Sequence, residues 1–204
     1  MSNIVEKTKE RLMQYEERHQ AILNAAVRLF ITKGYVVTTT ASIAKEAGVT
    51  EKTMYRHFQN KETLFEACVL SIAGEMAALW KDALERNKED ELAYLKAIAS
   101  SYADFVINNP EKSMFLVHLY TYRVIPELDE GFRKITEEQL NGVESVIKSL
   151  QEKDVIRLDM HPRLIAGMFV GSYFTAVFLN EFLGPEFYNA ETAVKMTKHF
   201  LRIE

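Results

Sequence analysis

One short stretch of the chain concentrates side chains that can recognise DNA. Lys52 and Arg56 can donate hydrogen bonds to O6 and N7 of guanine, and Glu51 can accept one from N4 of cytosine. Thr53 can contact a base edge, whereas the single hydroxyl of Tyr55 suits a phosphate equally well. These residue types, so close together, predict a surface that docks on DNA.

Two short helices joined by a sharp turn are predicted to position these side chains. The first opens with Thr39 or Thr40 as its N-terminal cap. Gly48 then ends it, because glycine readily adopts the left-handed conformation that such a turn requires. Thr50 can cap the second helix. The pattern predicts a helix-turn-helix motif.

The second helix is predicted to expose most of its residues. Met54 and Phe58, four positions apart, form its one clear buried stripe. Asn60 is the predicted cap of the following helix, which puts Lys61 in a first turn where the helix dipole disfavours a positive charge. A phosphate would compensate, since it gains from the lysine charge and the free amides together. We therefore predict that Lys61 contacts a phosphate.

A longer set of residues in fixed register surrounds the two helices. The set comprises Ile22, Ala25, Ala26, Leu29, Phe30, Gly34, Tyr35, Thr39, Thr40, Ile43, Ala44, Ala47, Gly48, Val49, Thr53, Tyr55, His57, Phe58 and Lys61. With these positions, residues 19–68 resemble the DNA-binding domain of the TetR family of transcriptional repressors. A lone helix-turn-helix pattern is weak evidence, whereas this many matches in one register is strong evidence.

The resemblance implies different roles for the exposed side chains. The residues implied to contact the DNA backbone are Thr40, Tyr55, His57 and Lys61. The residues implied to lie near base edges are Glu51, Lys52, Thr53 and Arg56. Ala41 stands where some members carry an arginine, which puts base reading by the first helix of the motif in doubt.

Three of these predicted DNA contacts also have a structural interpretation. Thr40 and Thr50, which we include among the predicted contacts, could serve only as helix caps, although capping is compatible with a phosphate contact. His57, next to Phe58, could be a half-buried core residue. The sequence leaves these alternatives open.

Charge is distributed unevenly along the chain. The whole protein has a net charge of −4, which argues against a general polyanion binder. Residues 1–61 nevertheless hold ten Lys and Arg against six Asp and Glu, a net charge of +4, and the remainder carries −8. A basic front end and an acidic body fit a protein that docks one face on phosphates, although a random spread of solvated charge could explain the acidic part.

The first 18 residues mix apolar and basic types. Apolar residues alternate with charged ones at Ile4, Val5, Lys7, Lys9, Arg11, Leu12, Tyr15 and Arg18. This mixture could extend the first helix or form a mobile arm that reaches along the duplex. We favour helix extension with a frayed start.

Length and composition predict two domains in a cytoplasmic protein. The 204 residues, 48% hydrophobic, suffice for a DNA-binding domain over 1–60 and a larger domain over 61–204. Cys68 has no partner for an internal disulfide, which favours a reducing compartment. We expect neither a signal peptide nor a membrane span, because polar residues and glycines interrupt the apolar stretch 164–183.

The second domain is predicted to be entirely helical. Helices are predicted over 61–87, 90–108, 110–123, 126–152, 162–183 and 189–203. Prolines mark predicted helix starts at positions 110, 126, 162 and 185. With three helices in front, the prediction is an all-α fold of about nine helices. This order matches the TetR-like architecture, which pairs a three-helix head with a C-terminal bundle for ligand binding and dimerisation.

The penultimate helix carries a predicted dimer interface. One recognition helix contacts few base pairs, whereas two held about 34 Å apart read a palindrome. Small residues at four-residue spacing would let helices approach closely, with phenylalanines beside them. The predicted interface residues are Gly167, Gly171, Phe174, Thr175, Phe178 and Phe182. The alternative is an ordinary contact inside one protomer.

Aromatic and soft apolar residues in the second domain could line an effector site. The candidates are Trp80, Tyr102, Phe105, Met114, Phe115, His118, Tyr122, Phe169 and Tyr173. Core packing would use the same residues. The resemblance implies that the effector is one of a varied group of drugs, lipids, acyl thioesters and metabolites.

Taken together, these features predict a homodimeric repressor that a small hydrophobic effector releases from a palindromic operator. No cofactor, metal or catalytic residue is predicted, because the five histidines are scattered and no phosphate-binding glycine loop is present. The alternatives are a DNA-binding interaction protein without an effector response and a helical-bundle enzyme.

Overall fold

The chain folds into helices throughout the part that the structure describes. The computed structural model describes residues 2–122, 129–157 and 159–203. Within these ranges there are nine α-helices and no strand: α1 Ser2–Lys33, α2 Thr40–Glu46, α3 Glu51–His57, α4 Lys61–Arg86, α5 Glu91–Asn108, α6 Pro110–Tyr122, α7 Asp129–Glu152, α8 Pro162–Leu183 and α9 Ala190–Leu201. The predicted all-α class is confirmed.

The helices form two compact units whose boundary lies inside α4. The first unit is Met1–Ser71 and the second is Ile72–Glu204. The sequence predicted the boundary earlier, where α4 begins. The start of α4 belongs to the first unit because the buried ring of Phe65 packs edge-on against Phe30, with 5.2 Å between the ring centroids.

Buried apolar residues from four helices build the core of the first unit. Ile22 and Ala26 are one turn apart on α1 and are completely buried. Ile43 of α2, Met54 of α3 and Leu64 of α4 are also completely buried. Burying each large side chain stabilises the unit by about 1.5–3 kcal/mol. This core fixes the two short helices on the long ones.

Cys68 lies in the same core. Its side chain is buried, and Sγ is 3.8 Å from the carbonyl oxygen of Leu23. Burial raises the pKa of the Cys68 thiol, so the group stays protonated. An inert packing role follows.

Helix α5 is central to the second unit. It packs against α6, α7, α8 and α9, and α7 packs against α8. Leu95, Ile98 and Tyr102 supply the buried face of α5. Ile147 of α7 and Ile165 of α8 are completely buried as well.

Two of the four prolines begin helices, as the sequence predicted. Pro110 is the first residue of α6, and Pro162 is the first residue of α8, after the cap His161. Pro185 does not begin a helix, because α9 starts later, at Ala190, where Asn189 supplies the cap. Pro126 lies outside the described residues.

Helices α4 and α8 are long and apolar enough to cross a membrane by length and composition alone. A core helix passes the same test, and both helices contribute buried side chains. Leu64 and Ile72 of α4 are buried, as are Ile165 and Phe169 of α8.

Candidate DNA-binding surface

The first short helix has the cap that the sequence indicated. Thr39 is the N-cap of α2, and its Oγ1 accepts a hydrogen bond from the backbone N–H of Ser42 at 3.2 Å. The N–H of Thr39 donates in return to Oγ of Ser42, also at 3.2 Å. Thr40 is therefore the first helical residue, and its side chain is not needed for capping.

The turn between α2 and α3 depends on Gly48. Its φ of +67° lies in the left-handed region that favours glycine. The N–H of Val49 donates to the carbonyl of Ala44 at 3.0 Å, and the N–H of Gly48 donates to the backbone carbonyl of Lys45 at 3.2 Å. On the far side, Oγ1 of Thr50 accepts from the N–H of Thr53 at 3.1 Å and caps α3. The predicted motif geometry is present.

Helix α3 exposes four of the six side chains that were predicted to face DNA, whereas Thr53 and His57 are half-buried. Met54 is completely buried and anchors the helix. Glu51, Lys52, Tyr55 and Arg56 are exposed. Within the described part of the chain, no ion pair or hydrogen bond engages the side chains of Glu51, Lys52 or Arg56. Their hydrogen-bonding groups are available to a partner.

The hydroxyls of Thr40 and Tyr55 lie side by side. Their oxygens are 3.0 Å apart, which joins the start of α2 to the middle of α3. Tyr55 is 49% exposed, so this pair is open to solvent. One hydroxyl donates to the other, and the accepting hydroxyl keeps its own proton to donate to a phosphate oxygen.

The ammonium group of Lys61 has a partner inside the protein. Its Nζ donates to the backbone carbonyls of Tyr35, Thr38 and Val36 at 2.9, 3.0 and 3.4 Å. Nζ also lies 4.3 Å from the centroid of the Tyr35 ring. Three carbonyls match the three N–H groups of an ammonium. Loop carbonyls therefore already compensate the charge that the helix dipole disfavours, and the phosphate contact of Lys61 stays a prediction.

Tyr35 and Thr38 complete the attachment of this loop. The Tyr35 hydroxyl donates to Oε1 of Glu62 at 3.2 Å. Burial, followed by the Glu62 charge and this hydrogen bond, raises the pKa of Tyr35 to about 12. Thr38 Oγ1 donates to the carbonyls of Gly34 and Leu29 at 2.8 and 3.1 Å. The loop therefore holds the start of α2 in place.

We predict that Lys61→Ala destabilises the first unit by about 2 kcal/mol, because hydrogen bonds from a charged donor are lost. The exposed Lys45→Ala is the control and should change stability by less than about 0.5 kcal/mol. Urea unfolding measures both. If Lys61→Ala left the urea midpoint unchanged but made DNA binding weaker and less salt-dependent, the main role of Lys61 would be a phosphate contact.

His57 is packed against α1. Its ring stacks on Tyr15 with 4.1 Å between centroids and lies 5.6 Å from the ring of His19. The Nδ1 atoms of both histidines are buried without a hydrogen-bond partner among the described residues. The structure thus gives His57 the half-buried packing role that the sequence left open, and its phosphate contact stays a prediction.

We predict that acid destabilises the first unit through His57. Burial first, then the nearby charges of His19, Arg56 and Arg18, lower the pKa of His57 from its ordinary value of 6.5, against an opposing effect of Glu16. A folded-state pKa below the unfolded value means that the unfolded chain binds more protons. Stability should therefore hold above about pH 6.5 and fall as the pH drops below it.

The measurement is the urea midpoint between pH 7.5 and 5.5, for wild type and His57→Gln. The variant should show a flatter pH dependence. Exposed His199→Gln is the control and should keep the wild-type slope. A wild-type midpoint that does not change with pH would contradict the expectation.

The predicted effector residues that the structure describes are mainly buried in the second unit. The buried members are Trp80, Tyr102, Phe105, Phe115, Phe169 and Tyr173, and the half-buried members are Met114 and His118. The Tyr102 ring lies 5.7 Å from Trp80 and 5.5 Å from Tyr173, between centroids. The side chain of Tyr122 lies outside the described residues.

Three polar atoms in this unit are buried without a hydrogen-bond partner among the described residues. They are Nε1 of Trp80, Oγ of Ser113 and the hydroxyl of Tyr173. Burial raises the pKa of Tyr173 to about 12, and the Ser113 hydroxyl is near enough to oppose that shift without reaching hydrogen-bond geometry. Unpaired buried polar groups are costly, which makes them candidates for a ligand contact. Reasoning from the sequence overlooked Ser113.

A separate cavity of about 220 Å³ lies between α5, α8 and α9. Its lining residues are Ala99, Met168, Phe169, Ser172, Thr175, Tyr188, Ala193, Met196, Thr197 and Phe200. Of the predicted effector residues, Phe169 alone is among them. The volume is smaller than that of a typical drug-sized pocket.

The glycines of α8 face open space. A Cβ atom added at Gly167 or Gly171 would meet no atom within 4 Å. Neither glycine is therefore in close contact with another helix of the described protomer, and the dimer interface stays a prediction. Phe178 and Phe182 are 57% and 70% exposed, whereas Phe174 is half-buried beside Tyr173.

An apolar stripe runs along this open side of α8. Its members, which are exposed apart from half-buried Gly171, recur at alternating spacings of four and three residues: Leu164, Met168, Gly171, Thr175, Phe178 and Phe182. Such a spacing suits the face of a helix that packs on another helix. Large exposed apolar patches mark interaction sites.

Helix α2, the turn at Gly48 and the exposed polar helix α3 define a helix-turn-helix DNA-binding protein. Residues 22–68 match the family described as bacterial regulatory proteins, tetR family. Over 166 residues the chain is 30% identical to the nucleoid occlusion factor SlmA of Marinobacter nauticus, which covers 81% of this chain and 82% of that protein. The chain belongs to the TetR family and is a DNA-binding regulator.

Two further comparisons extend over most of the chain. The transcriptional regulator AcrR of Shigella flexneri is 23% identical, covering 88% of this chain and 84% of that protein. The structure of the regulator FadR from Bacillus subtilis in complex with stearoyl-CoA has a TM-score of 0.67 at 21% identity, covering 90% of this chain and 95% of that one. The structural likeness shows a shared fold.

Proposed function

We propose that this protein is a cytoplasmic homodimeric repressor, released from a palindromic operator by a small hydrophobic effector. The observation that carries the proposal is the exposed face of α3. There, Lys52 and Arg56 lie one turn apart with no partner among the described residues. Helix α3 follows a glycine turn and is anchored to the first unit, and its outer face carries free hydrogen-bond donors. Such a helix suits the major groove of DNA.

Recognition of DNA would divide between bases and phosphates. Lys52 and Arg56 would donate to guanine, and Glu51 would accept from cytosine, each good pair giving about 1–3 kcal/mol of discrimination. The adjacent hydroxyls of Thr40 and Tyr55 would hold a phosphate and fix the register of α3 on the duplex. Thr50 and Thr53 lie at the start of α3, where recognition helices contact base edges.

Dimerisation would use the exposed stripe of α8. In a symmetric dimer the same surface of both copies forms the interface, which suits a self-complementary apolar helix face. The open space beside Gly167 and Gly171 would admit the partner helix closely. Two heads held this way would read two half-sites.

The effector would bind among the aromatic residues of the second unit. The buried rings offer apolar walls, and the unpaired groups of Trp80, Ser113 and Tyr173 offer hydrogen bonds to a polar part of the ligand. FadR, which shares the fold, is a regulator seen with stearoyl-CoA, and this supports a hydrophobic ligand. Because α4 contributes to both units, it is the element that would couple them.

The test is selection of binding sites from a pool of random duplexes. We expect the purified protein to enrich a palindrome whose half-site centres lie about one helical turn apart, or a multiple of it. The selected duplex, called the operator below, should bind with a strong salt dependence. Enrichment of no sequence, or of an asymmetric site bound by a monomer, would refute the proposal.

Intrinsic fluorescence of Trp80 should report effector binding, because it is the only tryptophan. We predict that a long-chain acyl thioester such as stearoyl-CoA changes this fluorescence and weakens operator binding between about 5- and 150-fold. The coupling is reciprocal, so operator DNA should weaken the ligand by the same factor. Tyr173→Phe should weaken ligand binding, whereas Tyr188→Phe, in the separate cavity, should leave it unchanged.

The same titration can contradict the effector proposal. A ligand that changes Trp80 fluorescence with equal affinity for free and operator-bound protein would bind without acting as a switch. An equal loss in the Tyr173→Phe and Tyr188→Phe variants would place it elsewhere.

A second candidate is a DNA-binding protein that works without an effector. The similarity to SlmA, named a nucleoid occlusion factor, favours it. Mapping the chromosomal binding sites would separate the two. A repressor should occupy a few sites near promoters, whereas a factor of the second kind should occupy many sites spread over the chromosome.

A further inference from the structure

Helix α1 extends well beyond the core that it supports. It spans Ser2–Lys33, but its first buried side chain among the described residues is Ile22. Every residue from 5 to 18 is exposed. We call residues 5–18 the α1 extension. Packing within the first unit does not account for the α1 extension.

The α1 extension is attached to the end of the recognition helix. The Tyr15 ring stacks on His57, the last residue of α3, with 4.1 Å between centroids and 27° between planes. One turn further along α1, the His19 ring lies 4.7 Å, between centroids, from the ring of Phe58, the C-cap residue of α3. These contacts bring the extension beside the helix that faces DNA.

Three of the four basic residues of the α1 extension share one stripe, whereas Lys9 lies beside Glu16 on the opposite side of the helix. Lys7, Arg11, Gln14 and Arg18 fall within roughly 60° of one another around a helix of 3.6 residues per turn. Glu6, Glu10 and Glu17 form another stripe, roughly 90° away. We call the first set the basic stripe. No ion pair engages its charged members in the described part of the chain.

The basic stripe continues towards the predicted DNA-reading face. Arg18 and Arg56 both lie near enough to His57 to lower the pKa of its imidazole. One of these arginines belongs to the stripe and the other to the exposed face of α3. Positive charge therefore flanks the contact between Tyr15 and His57, with Arg18 on α1 and Arg56 on α3, and Glu16 is the acidic group beside them.

We propose that the basic stripe is a second DNA-contacting element, which binds backbone phosphates next to the base pairs that α3 reads. The proposal depends on α3 docking in the groove. From Lys7 to Arg18 the helix is about 16 Å long, equal to about five base pairs of duplex. Duplex DNA offers a continuous row of phosphates over that length. An acidic protein would match the charge, but the position beside α3 favours the DNA already in place.

The test compares a triple variant, Lys7→Gln with Arg11→Gln and Arg18→Gln, with the wild type on a selected operator that has ten flanking base pairs on each side. Each lost phosphate contact should reduce the slope of log K against log salt by about 0.9. Three contacts would account for about 40-fold in affinity, per protomer, between 50 and 200 mM salt. Gln14→Lys should act in the opposite direction and steepen the slope.

Controls separate a contact from a general effect of charge. Lys9→Gln removes a charge from the opposite side of the same helix and should leave the slope unchanged. A triple change of exposed lysines in the second unit, Lys81→Gln with Lys88→Gln and Lys148→Gln, matches the loss of charge at a distance. Tyr15→Ala should reproduce the loss by releasing the extension, and Tyr15→Phe should restore binding because its ring still stacks.

The outcomes are distinguishable. If wild type shows no salt-dependent binding to any duplex, DNA binding by α3 itself fails. If wild type binds but the basic-stripe variant keeps its slope, or loses no more than the remote lysine variant, the stripe does not contact DNA. A folded variant with normal DNA binding that no longer retains an acidic protein would assign the stripe to that partner instead.

Discussion

Replacing Gly171 by leucine should turn the protein into a monomer and weaken operator binding at least about 100-fold. The side chain would project from the open side of α8, where a Cβ atom meets nothing within 4 Å. The protomer therefore has room for it. A partner helix packed against this position would leave no room for the leucine side chain. A monomer would contact one half-site, and specific complexes are typically 10³- to 10⁷-fold tighter than non-specific ones.

The chain provides a matched control on α7. Gly142 is an exposed helical glycine, and like Gly171 it has no atom within 4 Å of an added Cβ. Gly142→Leu makes the same chemical change away from the stripe and should remain dimeric. Light scattering and operator titration measure both variants. A dimeric Gly171→Leu protein with undiminished affinity would move the interface to another surface.

Local patterns were enough to predict most of the architecture. Gly48, Thr50 and Asn60 each act through backbone groups within a few residues, so their roles follow from residue type and spacing. In the structure Gly48 has a positive φ, Thr50 caps α3, and Asn60 Oδ1 accepts from the N–H of Thr63 at 2.7 Å. Helix starts at Pro110 and Pro162 were predictable for the same reason.

Contacts between residues distant in sequence were not predictable in this way. The three carbonyls that hold Lys61 lie 23 to 26 residues away, and nothing in their residue types identifies them as acceptors. The stack of Tyr15 on His57 joins residues from different helices and depends on how these pack. The argument from the dipole therefore identified the need for a partner of Lys61 but could not identify these carbonyls.

The effector residues illustrate a different limit. Large aromatic side chains fill a core and line a pocket equally well, so their types could not separate the two roles for Tyr102 or Phe169. The structure adds the position of buried polar groups. The unpaired groups of Trp80, Ser113 and Tyr173 distinguish part of this core from simple packing, and they depend on three-dimensional placement.

Arg56→Ala should relax the base preference of the protein, whereas Tyr55→Phe should weaken binding to all sequences alike. Arg56 is exposed on α3 with no partner in the described part of the chain, and a lost pair with guanine costs about 1–3 kcal/mol for each half-site. Both half-sites together would reduce the ratio of operator to random-duplex affinity by between about 30-fold and 2 × 10⁴-fold. Lys52→Ala should behave similarly.

Tyr55→Phe removes one hydroxyl from the pair that Tyr55 forms with Thr40 at 3.0 Å. If that pair holds a phosphate, operator and random duplex should lose affinity by the same factor, and the salt slope should change little because no charge is removed. Competition between the two duplexes measures the ratio for each variant. The division of roles requires opposite signatures, because a base contact alters the ratio and a phosphate contact does not. An Arg56→Ala protein that kept the wild-type ratio would move base reading away from α3.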